Sequence, residues 1–234
     1  KASLDVGREF FTPPRSNGDA PNGTPYLVPI RSLGPAHRER MAGHLLALSE
    51  QDRYLRFGYP ATDEQIRRYV DGLDFERDEI FGIYNRKLEM VAVAHLALVG
   101  NEACTNCAEF GVSVAANSRG RGYGTRLFER AAMHARNAGV EMLFIHALSE
   151  NTAMLKIARN AGALVERSGS ETEAHLVLPP ADIDSRVTEF IEEQIAQTDF
   201  RLKSQAKHFL GFLHTLQEVR KGVQDSLRGG PPPQ

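Results

Sequence analysis

Residues 112–125 read Val-Ser-Val-Ala-Ala-Asn-Ser-Arg-Gly-Arg-Gly-Tyr-Gly-Thr: the end of an apolar strand, Ala108–Ala115, then three glycines. Helical spacing follows at Leu127, Ala131 and Ala135 within Gly122–Asn137, and Gly139 stops it. A chain that passes from strand to helix through so tight a corner is committed to a layered α/β arrangement, with the helix folded back on its sheet. Glycine permits backbone conformations and close approaches that a Cβ would block. The first-turn amides of a helix lack intrahelical acceptors, and the helix dipole adds partial positive charge there. Gly120, Gly122 and Gly124 therefore predict a cradle for a phosphate or pyrophosphate, although a corner without ligand would use glycines too. The turn lacks the Gly-Lys-Ser/Thr of a P-loop and the Gly-x-Gly-x-x-Gly of a dinucleotide site.

Around this corner the pattern alternates between strands and helices. Thr24–Leu33 alternates like a strand, and Gly34-Pro35 opens an amphipathic helix with Met41, Leu45, Leu46 and Leu48 on one side. Asp63 is expected to cap a second short helix through Val70. Glu79–Tyr84 and Leu88–Val99 read as a hairpin about Asn85-Arg86-Lys87. After the glycine corner come a strand at Met142–Leu148, a short helix at Asn151–Asn160 stopped by Gly162, and strands at Ala163–Glu166 and Ala174–Leu178. This predicts a mixed central sheet flanked by helices over residues 24–180, an α/β (α+β) class. Residues 1–23, rich in Pro and Gly, read as a flexible arm, and 229–234 as a disordered tail. Residues 181–228 read as a helical extension, with Ile195, Leu202, Phe209, Leu216 and Val223 at seven-residue intervals and Ile191, Leu213 and Leu227 on the adjoining row. Such a stripe needs a partner surface, which predicts a homo-oligomer or a helical hairpin near Gly211.

Composition narrows the partners. The 234 residues carry 28 Lys plus Arg against 30 Asp plus Glu, a formal net charge of -2, so no global positive field grips nucleic acid. No apolar run reaches the roughly 18 residues of a membrane span, and the first residues carry no apolar signal-like run. Two cysteines are too few for a disulfide framework, and a cytoplasmic setting is expected. Cys104-Thr105-Asn106-Cys107 has the spacing of half a zinc site, but no second pair follows, so no metal is expected.

The run Arg119-Gly120-x-Gly122-x-Gly124 resembles the acyl-CoA loop of the GNAT acetyltransferases, and Asn151 opening the helix that ends at Gly162 resembles their second motif. More narrowly, Ala108-Glu109-Phe110, Ser149-Glu150-Asn151 followed by Met154-Leu155, and Asp52-Arg53-Tyr54-Leu55-Arg56-Phe57 resemble the catalytic domain of bacterial Pat-type protein lysine acetyltransferases. The resemblance implies the GNAT fold, with acetyl-CoA as co-substrate wedged between splayed fourth and fifth strands. The backbone of Val112, Ser113 and Val114 would lie along the pantetheine. Arg119, Gly120, Arg121, Gly122, Tyr123, Gly124 and Thr125 would surround the pyrophosphate, with Asn151 beside the pantetheine arm.

The acceptor would be a primary amine, on a protein lysine or a small molecule; a regulatory acyl-CoA-binding module without turnover is the reading from another class. A lysine amine has a reference pKa of about 10.4, so attack at neutral pH needs a proton acceptor. Glu109 matches the position of the Pat-type catalytic glutamate, in a strand whose apolar neighbours are expected to desolvate it. A glutamate paired with a nearby arginine is the bland alternative. Many family members place a tyrosine at the position of Ala158 to protonate the leaving thiolate; Ser113 and Ser149 are weak substitutes here. A lone histidine such as His95 or His146 is more often a structural hydrogen-bonded group.

Overall fold

The computed structural model describes residues 28–101, 104–169, 171–182, 184–201 and 203–204. The arm, the start of the first expected strand, the tail and most of the C-terminal stripe lie outside the described residues. The strands are β1 (Ile30–Ser32), β2 (Glu79–Tyr84), β3 (Met90–Asn101), β4 (Cys104–Val114), β5 (Met142–Leu148), β6 (Leu164–Ser168) and β7 (Glu171–Val177). They form one sheet in the order β1-β2-β3-β4-β5-β7-β6. Every pairing is antiparallel except β4 with β5.

Three helices cover one face where two were expected: α1 (Arg38–Leu46), α2 (Glu50–Phe57) and α3 (Asp63–Asp71). Ser49 interrupts the first run, its side chain accepting from the Asp52 amide to cap α2, and Gly58 closes that helix in the left-handed conformation. Thr62, not Asp63, caps α3, in a capping box with Gln65. Met41, Leu45, Ile66 and Val70 from these helices pack on Ile80 and Val93 of the sheet. On the other face α4 (Tyr123–Asn137) and α5 (Thr152–Asn160) bury Leu127, Phe128, Ala131, Leu155 and Ala158 against Phe81, Leu96, Phe110 and Ile145.

A further helix, α6, covers residues 184–201. It docks through charge: Arg130 of α4, 3% exposed, meets Glu189 at 2.7 Å, Glu193 at 3.4 Å and Glu192 at 3.9 Å. Glu189 also receives hydrogen bonds from His134 and Asn137, and these with Arg130 hold its carboxyl at about 2 against the upward push of burial. The Ser32 hydroxyl donates to Glu193 at 3.0 Å and Arg31 to Gln197 at 2.9 Å, while Phe200 packs on Tyr84. Ile191 and Ile195 of the expected stripe point outward with Val187 and Phe190, all at least 40% exposed.

Candidate active site

The feature that opens the molecule is the β4–β5 pair. It is in register only at Cys107–Met142, Ala108–Leu143 and Glu109–Phe144. Beyond Glu109 the strands part, while β4 continues against β3 as far as Val114. The edge of β4 facing β5 therefore presents backbone N–H and C=O groups without a strand partner among the described residues. A cleft of about 1000 Å³ fills the split, lined by Glu109–Val114, by His146–Leu148 of β5, by the glycine turn and by the first turns of α4 and α5.

The glycine turn behaves as the sequence demands. Gly120 and Gly122 have φ of 74° and 75°, the left-handed region, and Gly122 is the residue from which α4 begins. At Gly124 the reason is space: a Cβ would lie 3.1 Å from Ile157 of α5. Gly120, Gly122, Tyr123, Gly124 and Thr125 all line the cleft. Two arginines depart from expectation. Arg121 is exposed and lies off the cleft wall. Arg119 does line it, but its guanidinium pairs with Asp52 at 2.6 Å and donates to the Val114 carbonyl at 3.2 Å. Burial works against the Asp52 anion, and hydrogen bonds from Ser49 and Arg119 outweigh it, keeping that carboxyl below its usual range. Arg119 thus clips the turn to α2.

Asn151 lines the cleft from the head of α5. Its side-chain oxygen accepts from the Met154 amide at 3.1 Å and its nitrogen donates to the Leu55 carbonyl at 3.2 Å. One residue caps α5 and ties it to α2 across the cleft. The Ser113 backbone lines the cleft, but its hydroxyl is buried and 2.9 Å from His44 Nε2. His44 Nδ1 faces the Met90 carbonyl at 3.1 Å, and burial lowers the His44 pKa, so the ring is neutral, donates from Nδ1 and accepts the serine proton at Nε2. Ser149 is engaged with Thr172 at 2.8 Å. Neither serine points a spare hydroxyl into the cleft. Ala158 is fully buried in the core and is not part of the cleft wall.

Glu109 stands where the strands part, and it is exposed. The desolvation expected from its apolar strand is absent, because alternation turns Ala108 and Phe110 into the core and Glu109 to the opposite face. Cross-strand pairing puts Glu109, Phe144, His146, Glu173 and Glu166 on one face of the sheet. Glu109, His146, Glu166 and Glu173 line the cleft mouth. Cys104 and Cys107 are bonded to each other, with Cα atoms 5.7 Å apart. Among the described residues no group of three or more His, Cys, Asp and Glu is placed to hold a metal.

Arg56 was visible in the sequence without a role. It lines the cleft from the last turn of α2, four residues after Asp52 and so on the same side of that helix. That spacing is the signal that would have singled it out. Tyr69, His95 and Asp78 behind it carried no such signal, since they come from α3, β3 and the loop before β2.

A family model described as an acetyltransferase (GNAT) domain matches residues 28–164. Among solved structures, the GNAT domain of S. lividans PAT is 23% identical with a TM-score of 0.55, covering 64% of this chain and 89% of that one. A ribosomal-protein-alanine N-acetyltransferase from Brucella melitensis is 17% identical with a TM-score of 0.52, covering 64% and 99%. A spermidine N-acetyltransferase from Vibrio cholerae, solved with CoA and spermine, is 14% identical with a TM-score of 0.52, covering 64% and 95%.

Proposed function

From the premise that this chain belongs to the GNAT acetyltransferase family, we propose that its cleft binds acetyl-CoA and passes the acetyl group to a primary amine, with Glu109 as proton acceptor. The observation that carries this reading is that the sheet opens at Glu109 itself, so the carboxylate, the free β4 edge and the glycine turn share one cleft. The pantetheine takes the place of a strand along Val112, Ser113 and Val114. The pyrophosphate rests on the amides of Gly120 and residues 122–125, where orphan donors and the helix dipole meet. The amine nitrogen bonds to the carbonyl carbon, its proton passes to Glu109 directly or through water, and the C–S bond breaks to release CoA thiolate, which water protonates.

The acceptor we favour is a lysine side chain of a protein. The β5–β7–β6 part of the mouth carries Glu166 and Glu173, both exposed, on the face of the sheet that Glu109 shares, a surface suited to a cationic chain. Two solved GNAT structures are named for acceptors of different kinds, a ribosomal protein and spermidine. Acetyl-CoA mixed with lysine-bearing proteins and with small amines separates the cases by free CoA released and acetyl mass gained. Transfer to proteins supports the reading. Transfer to small amines alone moves the acceptor, and tight acetyl-CoA binding with no release leaves a binding module.

Among the described residues no helix is long and apolar enough to cross a membrane, and we place the protein in the cytoplasm. We also infer self-association through α6. Its inward side is Ser185, Glu189, Glu193 and Ala196, whereas Val187, Phe190, Ile191 and Ile195 form an outward apolar patch, which soluble monomers rarely leave bare. Light scattering is expected to give a species larger than a monomer for the wild type and a monomer for Ile191→Glu/Ile195→Glu. A monomeric wild type would place the cover of this stripe within the same chain.

A further inference from the structure

The guanidinium of Arg56 lies flat on β4. A Cβ at Gly111 would come within 2.7 Å of Arg56 Cζ and Nη2, so the guanidinium packs this closely on the strand only because the position carries no side chain. Gly111 is two residues beyond Glu109 on the same face, and its partner across the sheet is His95. Nη2 of Arg56 donates to the Tyr69 hydroxyl at 3.0 Å, and that hydroxyl lies 2.8 Å from His95 Nδ1. His95 Nε2 lies 3.0 Å from Oδ2 of Asp78, whose side chain is buried. Burial lowers the His95 pKa, and the ring is neutral. Every proton in the chain is then assigned: Nε2–H of His95 donates to Asp78, the Tyr69 hydroxyl donates to Nδ1, and the tyrosine oxygen accepts from Arg56. Asp78 is held further by Arg77 and by the Leu98 amide. The rings of Phe57 and Tyr69 lie 5.1 and 5.6 Å from Arg56 Cζ.

So fixed a cation would ordinarily serve a salt bridge, yet among the described residues no carboxylate forms an ion pair with Arg56. It lines the cleft beside Glu109 with donors to spare. We propose that Arg56 binds the acetyl carbonyl oxygen of acetyl-CoA and stabilises the negative charge that this oxygen gains when the amine attacks. This rests on the transfer reading above. As the nitrogen lone pair forms the N–C bond, the C=O π pair moves to oxygen, against Arg56. Collapse restores the double bond, expels the thiolate and leaves the amine proton on Glu109. Tyr69, His95 and Asp78 are positioning residues: they keep the guanidinium aligned before charge develops, so no reorganisation is needed during the step.

The test combines turnover with a binding readout that needs none. Arg56→Met is expected to lower kcat about 10²–10³-fold, the range for losing one oxyanion donor, with the KM for acetyl-CoA little changed. Arg56→Lys, with charge but no fork, recovers part of the rate. Tyr69→Phe, which removes only the hydroxyl that aligns Arg56, lowers kcat roughly 3- to 10-fold, the scale of one neutral hydrogen bond. S-carboxymethyl-CoA places a carboxylate where the acetyl group would lie. Wild type is expected to bind it roughly 10- to 100-fold more tightly than Arg56→Met does, while both bind CoA equally. An Arg56→Met enzyme with wild-type kcat, or one that loses CoA itself as much as S-carboxymethyl-CoA, overturns the proposal. A wild type that transfers to no amine yet shows the Arg56-dependent preference retains the oxygen-binding role and removes only the transfer reading.

Discussion

Arg130 and Arg56 sit on opposite faces of the same sheet, the first with its guanidinium beside one aromatic ring and the second beside two, and they differ in what completes them. Arg130 is almost fully buried and has three carboxylates of α6 around it. Arg56 is half-buried, is steered by a neutral tyrosine, and faces an open cleft. A buried charge whose partners are all supplied by the chain holds parts together. A fixed charge with no carboxylate partner among the described residues is set for something that arrives from outside. The same contrast separates the two ends of the β4–β5 pair, closed by backbone pairing through Glu109 and open beyond it.

The contrast can be broken from either side. On the open side the largest effect is expected at Glu109: Glu109→Gln should lower kcat about 10²–10⁴-fold while acetyl-CoA affinity holds, read by CoA release and by calorimetric titration. On the closed side, Arg130→Met strands three carboxylates and is expected to cost about 3–5 kcal/mol in urea unfolding. Acetyl-CoA affinity should stay unchanged in the folded fraction, and a loss of affinity would show that the two regions are coupled. Gly122→Val comes next. A side chain at φ 75° strains the turn by about 1–2 kcal/mol and covers the amides, so thermal stabilisation by CoA should vanish while the fold persists. Unchanged stabilisation would remove the phosphate site from this turn.

The smallest effect is in the pH profile. His44 and His95 are held neutral by burial, so the unfolded chain takes up protons more readily and stability begins to fall as pH drops through about 6.5. Glu189, lowered from 4.5 to about 2, contributes stability that is present above about 4.5 and lost as pH falls towards 2. Glu192, raised by burial, opposes that second loss. Melting temperatures from pH 7.5 to 3 should therefore fall in two stages. In Glu189→Gln the second stage should shrink while the first remains.

What the sequence disclosed was local. The glycine turn, the Asn151 cap and the succession of strands and helices along the chain could be read because each depends on a few neighbouring residues and their backbone preferences. Two features could not be read that way. The parting of β4 from β5 came only with the family resemblance, because it depends on register between strands 28 or more residues apart, and nothing in Val112–Val114 differs from a strand paired on both edges. The orientation of α6 inverted the usual rule, since apolar spacing marks the face that a helix buries, whereas here carboxylates face the domain. The clue lay in α4, where Arg130 and His134 occupy the stripe begun by Leu127 and Ala131. A guanidinium and an imidazole in an apolar stripe call for acidic partners from elsewhere in the chain. The exposure of Glu109 follows the simplest strand rule, alternation, which outweighed the apolar composition of β4.

The most direct measurement is acetyl transfer itself. Wild-type protein is incubated with acetyl-CoA and lysine-bearing protein, and free CoA and acetylated amine are followed together. The account predicts that the two appear in equal amounts at the same rate. Acetyl-CoA that binds in the cleft and stays intact in the presence of every amine offered would contradict it.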